Sequence, residues 1–380
     1  MASSASARCE QASQGKCRDD CDYGHANRIL AASVLVIDGH RSSGGVGRRK
    51  TETMNIMRFL GGGGGVLAVG LAAVSAACAP LTVQATVADG TLTVTGTANR
   101  DVIALRLKAG APNTIQVDVG DDGTAEFELD RSTFSRIEVL AGDGNDSIRI
   151  DQINGAFADE TTTLDGGTGN DIIIGGDGND SLRGGAGNDS IDGNRGADQA
   201  DLGFDDDSFR WDPGDGSDVI EGRAGSDTLV FNGADVDEAM FLNANGQRAV
   251  LERNVGNVRM DMDGVETLNL TMLEGFDNFS VGDNMANTAM SRANVDMSAV
   301  GGGSDTKTDS VNLVGTPNAD HITVSATGTR IDVAGVPVAT SITGSQIPDS
   351  LQISAEGPDD TIVVDPAVDA LISMLINPHV

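Results

Sequence analysis

From Leu164 to Gly193 the chain reads LDGGTGNDIIIGGDGNDSLRGGAGNDSIDG, in which the pattern G-G-x-G-x-D-x-U-x, with U apolar, returns every nine residues. Self-similarity at a fixed period marks a repeat array, in which no unit is stable alone and neighbours complete one another's core. Five units follow without a gap, beginning at Gly166, Gly175, Gly184, Gly193 and Leu202, and their sixth positions hold Asp171, Asp180, Asp189, Asp198 and Asp207. The U positions are Ile173, Leu182, Ile191, Ala200 and Phe209. After a two-residue insertion the register resumes with Asp218 and Ile220, then Asp227 and Leu229, and an isolated unit with Asp146 and Ile148 stands ahead of the block.

Glycine at this density costs backbone entropy, so the turns need something only glycine permits: positive φ angles, or carbonyls crowded around a guest. Six glycine-rich residues make a tight turn whose carbonyls and one carboxylate point inward, and the next three form a short strand burying its one apolar residue. Oxygen ligands on flexible turns suit calcium, which takes six to eight oxygens, better than zinc or magnesium. The candidate ligands are the eight aspartates just named together with backbone around Gly167, Gly169, Gly176, Gly178, Gly185 and Gly187.

Charge agrees with a cation collector. The chain has 57 acidic and 25 basic residues, a formal charge of -32, which repels nucleic acid and anionic membrane surfaces. One Trp and one Tyr argue against a sugar-stacking lectin face or a nucleobase platform.

The first 79 residues are different, with 9 of the basic and 6 of the acidic residues; Pro80 to Val380 carries 16 against 51. GGGGGVLAVGLAAVSAACAP follows a basic stretch with Arg48, Arg49, Lys50 and Arg58, the layout of an export signal. The competing reading is a membrane-spanning helix, which needs about 20 apolar residues, but five consecutive glycines and the small-residue ending favour cleavage. Met54 and Met57 sit where such a signal begins, which makes residues 1–53 an over-extended start. Cys9, Cys17, Cys21 and His25 have spacings open to a zinc reading, with no second ligand pair to frame it. Cys78, ending VSAAC, resembles a lipoprotein acceptor, although Ser75 stands where that family has an aliphatic residue; lipidation and cleavage near Ala76 or Ala77 both stay open. No cysteine follows, so disulfides do not stabilise the exported part.

The repeat resembles the RTX, or haemolysin-type, calcium-binding nonapeptide family, and the resemblance covers about residues 141–230. It implies a right-handed parallel β-roll with ions between stacked turns, held by backbone carbonyls and sixth-position aspartates. Carried onto this chain, it implies that Asp171 shares an ion with Asp189, Asp180 with Asp198, and Asp189 with Asp207. Asn194 and Arg195 in the fourth unit, and Leu202 and Asp205 in the fifth, depart from the motif and shift the best sites to the first half.

A longer repeat flanks the array. TVTGTANRDVIAL and NLVGTPNADHITV align Gly96 with Gly315 and Asp101 with Asp320; LAGDGNDSIRID and SAEGPDDTIVVD align Asp146 with Asp360; a degenerate copy surrounds Asp277. Alternating runs such as TIQVDV and TRIDVAG predict strands. The fold class expected is all-β, a parallel β-roll or solenoid flanked by degenerate β-repeat modules. The chain divides into a leader at 1–53, a signal at 54–79, an N-terminal β module at 80–140, the calcium-binding block at 141–231 and a C-terminal β module at 232–380.

No zinc helix, nucleophile elbow or phosphate loop is present, and His321 stands alone in a strand pattern. The expectation is a non-enzymatic, exported bacterial protein, secreted or at the cell surface, with calcium as its cofactor. Its role would be structural, adhesive or surface-layer, with a cell-surface or matrix partner, no nucleic acid and no membrane span once the signal is gone. The alternative is an extracellular hydrolase or toxin-like RTX protein whose active region has no recognisable motif.

Overall fold

Nine residues suit a turn followed by a strand too short to fold back on its own, so successive strands fall alternately into two sheets. The computed structural model describes residues 82–157, 159–303 and 307–377, all within the unit Ala79–Val380 that internal contacts separate from Met1–Cys78. The leader, the export signal, the candidate zinc residues and Cys78 lie outside the described residues.

Among the described residues there are 28 strands in two sheets of 14, and no α-helix. In one sheet Thr161–Thr168, Asp180–Ala186, Gln199–Phe204 and Val219–Ala224 run parallel, with Leu164, Leu182, Ala200 and Ile220 in register. In the other, Ile172–Ile174, Ser190–Asp192, Ser208–Trp211 and Thr228–Asn232 align Ile173, Ile191, Phe209 and Leu229. One coil is therefore two units, and the protein is a parallel β-roll solenoid. The apolar residue of every unit faces the space between the sheets, at most 2% exposed. Burying a side chain of this size is worth about 1.5–3 kcal/mol, so the core is a sum of small, equal contributions along the axis.

The same stacking continues beyond the nonapeptides. Thr91–Thr95 pairs in parallel with Arg136–Asp143, which pairs with Thr161–Thr168. Val219–Ala224 pairs with Val258–Asp263, and the far end is Ser350–Ser354 against Ser373–Asn377. The flanking coils differ in carrying antiparallel strands, such as the hairpin Ala239–Asn245 with Arg248–Arg253 inserted into one sheet and Arg330–Ala334 inserted into the other. At the two-residue insertion Trp211 stacks on Phe231, centroids 4.2 Å apart, and its indole N–H donates to Gly216 O at 2.8 Å.

The likeness of the flanking segments is a likeness of hydrogen bonding. Thr97 N–H donates to Asp101 Oδ2 and Thr316 N–H to Asp320 Oδ2, each at 2.6 Å. Asp101 N–H then donates to Asp146 Oδ1 and Asp320 N–H to Asp360 Oδ1, each at 2.7 Å.

Candidate metal centres

Each sixth-position aspartate stands at the entry to a strand, where the turn ends and the chain begins to pair. Except in Asp180, which begins its series, its Oδ1 accepts the backbone N–H of an aspartate one coil earlier, so the aspartates form ladders along the two edges of the roll. On one edge Asp146, Asp171, Asp189 and Asp207 each donate their N–H to the next, ending on Asp227, at 2.7–3.0 Å. Asp227 N–H continues the series to Glu266 at 2.7 Å. On the other edge Asp180 donates to Asp198 and Asp198 to Asp218, at 2.8 and 2.9 Å.

All eight aspartates are buried, none more than 5% exposed. Yet the second oxygen of Asp146, Asp171, Asp189, Asp198, Asp207 and Asp227 has no hydrogen-bond partner. An unpartnered charged oxygen out of water is strongly unfavourable, and such groups are normally paired or bound to metal. Among the described residues no arginine or lysine pairs with any of the eight. Asp180 differs from these six, because its second oxygen accepts Gly176 N–H at 2.8 Å.

The first glycine of the unit completes the site. A Cβ on Gly166 would overlap Asp171 Oδ2 and crowd Gly184 O; on Gly184 it would overlap Asp189 Oδ2 and Leu202 O; on Gly175, Gly193 and Gly222 it would meet the Oδ2 of Asp180, Asp198 and Asp227. The bare α-carbon thus leaves a space into which a carboxylate oxygen and a carbonyl of the following coil both point, and an oxygen-seeking cation fits it. Gly167, Gly169, Gly185 and Gly187 serve the stack instead: all have positive φ, and a Cβ on any would overlap a carbonyl of the coil before. Gly178 also has positive φ, and its carbonyl is the atom a Cβ on Gly196 would meet. Gly176 packs against Ile150.

Electrostatics follow from that geometry. Burial, reinforced by neighbouring carboxylates, raises Asp189 to about 7, with Asp207 first among those neighbours. Burial raises Asp198 to about 8, Asp218 and Asp227 to about 7, and Asp146 and Asp207 to about 6. It also raises Asp171 and Asp180. A carboxyl pushed this high holds its proton or finds a cation. Among the described residues no three His, Cys, Asp or Glu side chains cluster into a metal site made of side chains alone; the available donors are carboxylates one per turn plus carbonyls.

Where the ladders leave the nonapeptides the protein supplies its own cations. Arg131 makes a two-pronged contact with Glu160, just ahead of Thr161–Thr168, at 2.7 and 2.8 Å. Arg253, buried and 5.2 Å from the Trp211 ring, pairs with the equally buried Glu238. Glu238 N–H in turn donates to Asp277, Asp277 N–H to Asp309 and Asp309 N–H to Asp349. Sequence reasoning missed Glu238, Glu266, Asp309, Asp349 and the first-position glycines as parts of this scheme. The signal available was an acidic residue immediately before each apolar strand, at irregular spacing outside the nonapeptides.

A β-roll whose turn carboxylates are buried and lack basic partners defines a solenoid of the calcium-binding type. Comparison with known families agrees: four copies of the RTX calcium-binding nonapeptide repeat match, at residues 165–200, 174–209 and 214–235. Residues 165–209 and 214–235 thus carry RTX-type calcium-binding nonapeptide repeats. No curated protein matches it. Among solved structures it is similar to the extracellular lipase LipA from Serratia marcescens, at 14% identity over 58% of this chain and 44% of that one, with a TM-score of 0.17. The chain thus spans less than half of that lipase, and so slight an overlap carries no argument about activity.

Proposed function

We propose that this is an exported β-roll whose nonapeptide coils bind calcium and fold upon it, and that its role is structural, adhesive or cell-surface rather than catalytic. The observation that carries the reading is the row of buried aspartates with one oxygen engaged by the backbone and the other facing a glycine-lined space without a partner. Asp171, Asp189, Asp207 and Asp227 on one edge, with Asp198 on the other, would hold the ions together with carbonyls of the adjoining coil. Bound calcium would supply positive charge between coils. The chain's own residues fix where that charge sits, since each Oδ1 is held by the N–H of the preceding coil. Ligand carboxylates placed one per strand entry serve a stacked scaffold, which supports the non-catalytic reading. Extracellular calcium modules bind at about 10⁻⁴ to 10⁻³ M, which suits a protein that meets its ion after export. Calorimetric titration of the exported chain with calcium, beside magnesium as control, tests the proposal. Saturable binding of several calcium ions in that range is expected; heat signals indistinguishable from magnesium would overturn it.

A further inference from the structure

On the outer face of the calcium-repeat sheet lies a groove of about 600 Å³. Its floor is Gly185 and Gly203, paired in register, with φ of 115° and 120°. A Cβ on either would overlap a carbonyl of the preceding coil, so stacking itself keeps the floor bare.

Phe204 rises beside that floor and is 65% exposed. It occupies the third position of its unit, where the four preceding units have Thr168, Asp177, Ala186 and Arg195. Its register neighbours on the adjoining strands are Ala186 and Ala224, so small side chains flank the ring on both sides. The core gains little from this phenylalanine, and an aromatic face held in solvent at the rim of a groove is available to stack on a ligand.

The other wall is polar and balanced in charge. Asp165, Arg183 and Asp201 stand in one register row across three strands. Arg183 lies 3.8 Å from Asp165, and Arg223 grips Asp201 through two hydrogen bonds of 2.9 and 2.8 Å. Planar guanidinium and carboxylate groups of this kind keep spare N–H donors and lone pairs directed at solvent. That combination, an aromatic face beside paired donors and acceptors, matches the apolar C–H face and vicinal hydroxyls of a pyranose ring. The chain's charge of -32 opposes a polyanion, and the two ion pairs leave the groove itself without net charge.

We propose that this groove binds a neutral polysaccharide, with Phe204 as the stacking platform and Arg183, Asp165, Arg223 and Asp201 as hydroxyl partners. The inference rests on the adhesive reading above and names its partner class. It also corrects the composition argument: a chain poor in aromatics still presents one ring where a sugar can lie.

Affinity electrophoresis of the exported chain in calcium tests it, using soluble neutral polysaccharides (hydroxyethyl cellulose, starch, galactomannan, xylan) with carboxymethyl cellulose as the acidic comparison. At least one neutral polymer is expected to retard the protein, and carboxymethyl cellulose to do so less. Phe204→Ala should weaken the retardation at least tenfold, and Phe204→Tyr should preserve it. Circular dichroism on the same samples should show the same calcium response in all three proteins, so failure here is separable from failure of the calcium reading. The inference is overturned by no retardation in any neutral polymer, by retardation undiminished in Phe204→Ala, or by preference for the acidic polymer. Loss of self-association in Phe204→Ala, seen by sedimentation without any change in polymer binding, would equally overturn it.

Discussion

The contrast between Asp189 and Asp320 isolates what a roll aspartate does. Asp189 spends Oδ1 on the N–H of Asp171 and leaves Oδ2 buried without a partner. Asp320 has Oδ2 held by Thr316 N–H and Oδ1 by the Thr316 hydroxyl. Asparagine preserves the Oδ1 acceptor in both places and removes the charge. Asp189→Asn should therefore raise the calcium concentration needed for half-maximal binding at least about tenfold, a loss of about 1.4 kcal/mol, while making the calcium-free form no less stable. Asp320→Asn should leave calcium binding unchanged and cost about 1 kcal/mol of stability through its weakened hydrogen bonds. Calorimetric titration of the pair decides the matter. An Asp189→Asn protein with unaltered stoichiometry and midpoint would show that this carboxylate is not a ligand.

At the scale of one coil, the glycines divide into two kinds, and this predicts unequal substitutions. Gly184 does not require positive φ, but a side chain there overlaps both Asp189 Oδ2 and the backbone carbonyl of Leu202 and crowds Asp189 Cβ. Gly184→Ala should then disturb the stack in both media and in addition lose calcium binding, so that its cost in calcium exceeds its cost in chelator by about 2–3 kcal/mol, as one lost ion at 100 times its Kd implies. Gly185→Ala meets both a strained φ and a carbonyl of the coil below, and should destabilise the roll with and without calcium. Thermal melts in calcium and in chelator separate the two; equal losses for Gly184→Ala in both media would contradict the assignment. The alternation of turn and strand was legible in the sequence because nine residues leave room for only one apolar side chain per unit, and Ile173, Leu182 and Ile191 fill it. The coils outside the nonapeptides were legible as strand patterning and as a longer repeat, but not in the pairing of their strands. Longer connections, two of them with inserted hairpins, set Glu238, Asp277, Asp309 and Asp349 between 32 and 40 residues apart, and the partner of a long connection is chosen by tertiary packing, not by local spacing. The Arg253–Glu238 pair was invisible for the same reason: its members meet through a hairpin inserted mid-sheet.

Over the whole molecule, the raised carboxyls set how stability depends on pH, and the sign differs with and without calcium. Asp189, Asp198, Asp218 and Asp227 titrate near 7 to 8 when folded, against an ordinary value of 3.8. Between those limits the folded chain binds more protons than the unfolded one, so the calcium-free roll is most stable in acid and loses stability as pH rises toward 8. Calcium replaces those protons, so its binding should weaken as pH falls from about 8 to 5. Urea melts in chelator at pH 5 and pH 8 check the first statement, and a flat or rising stability toward pH 8 would refute it. At neutral pH outside a cell the two effects meet: without calcium the buried like charges, one per coil and about 5 Å apart along each edge, oppose stacking, and the coil cores are small. Each ion bound at about 100 times its Kd adds about 2.7 kcal/mol to the folded state. Several such sites together reach the 5–15 kcal/mol that separates folded from unfolded domains. The nonapeptide coils should accordingly be loose in chelator and gain β-structure cooperatively in millimolar calcium, with magnesium ineffective because it demands tighter octahedral geometry. The flanking coils, where Arg131 and Arg253 stand in for the ion, should stay ordered in both media. Hydrogen exchange resolved along the chain measures this directly: protection that appears only with calcium between residues 165 and 230, and persists without it in the coil holding Glu238, is the expected pattern. Uniform protection in chelator would show that the apolar core suffices and that the ion follows the fold instead of driving it.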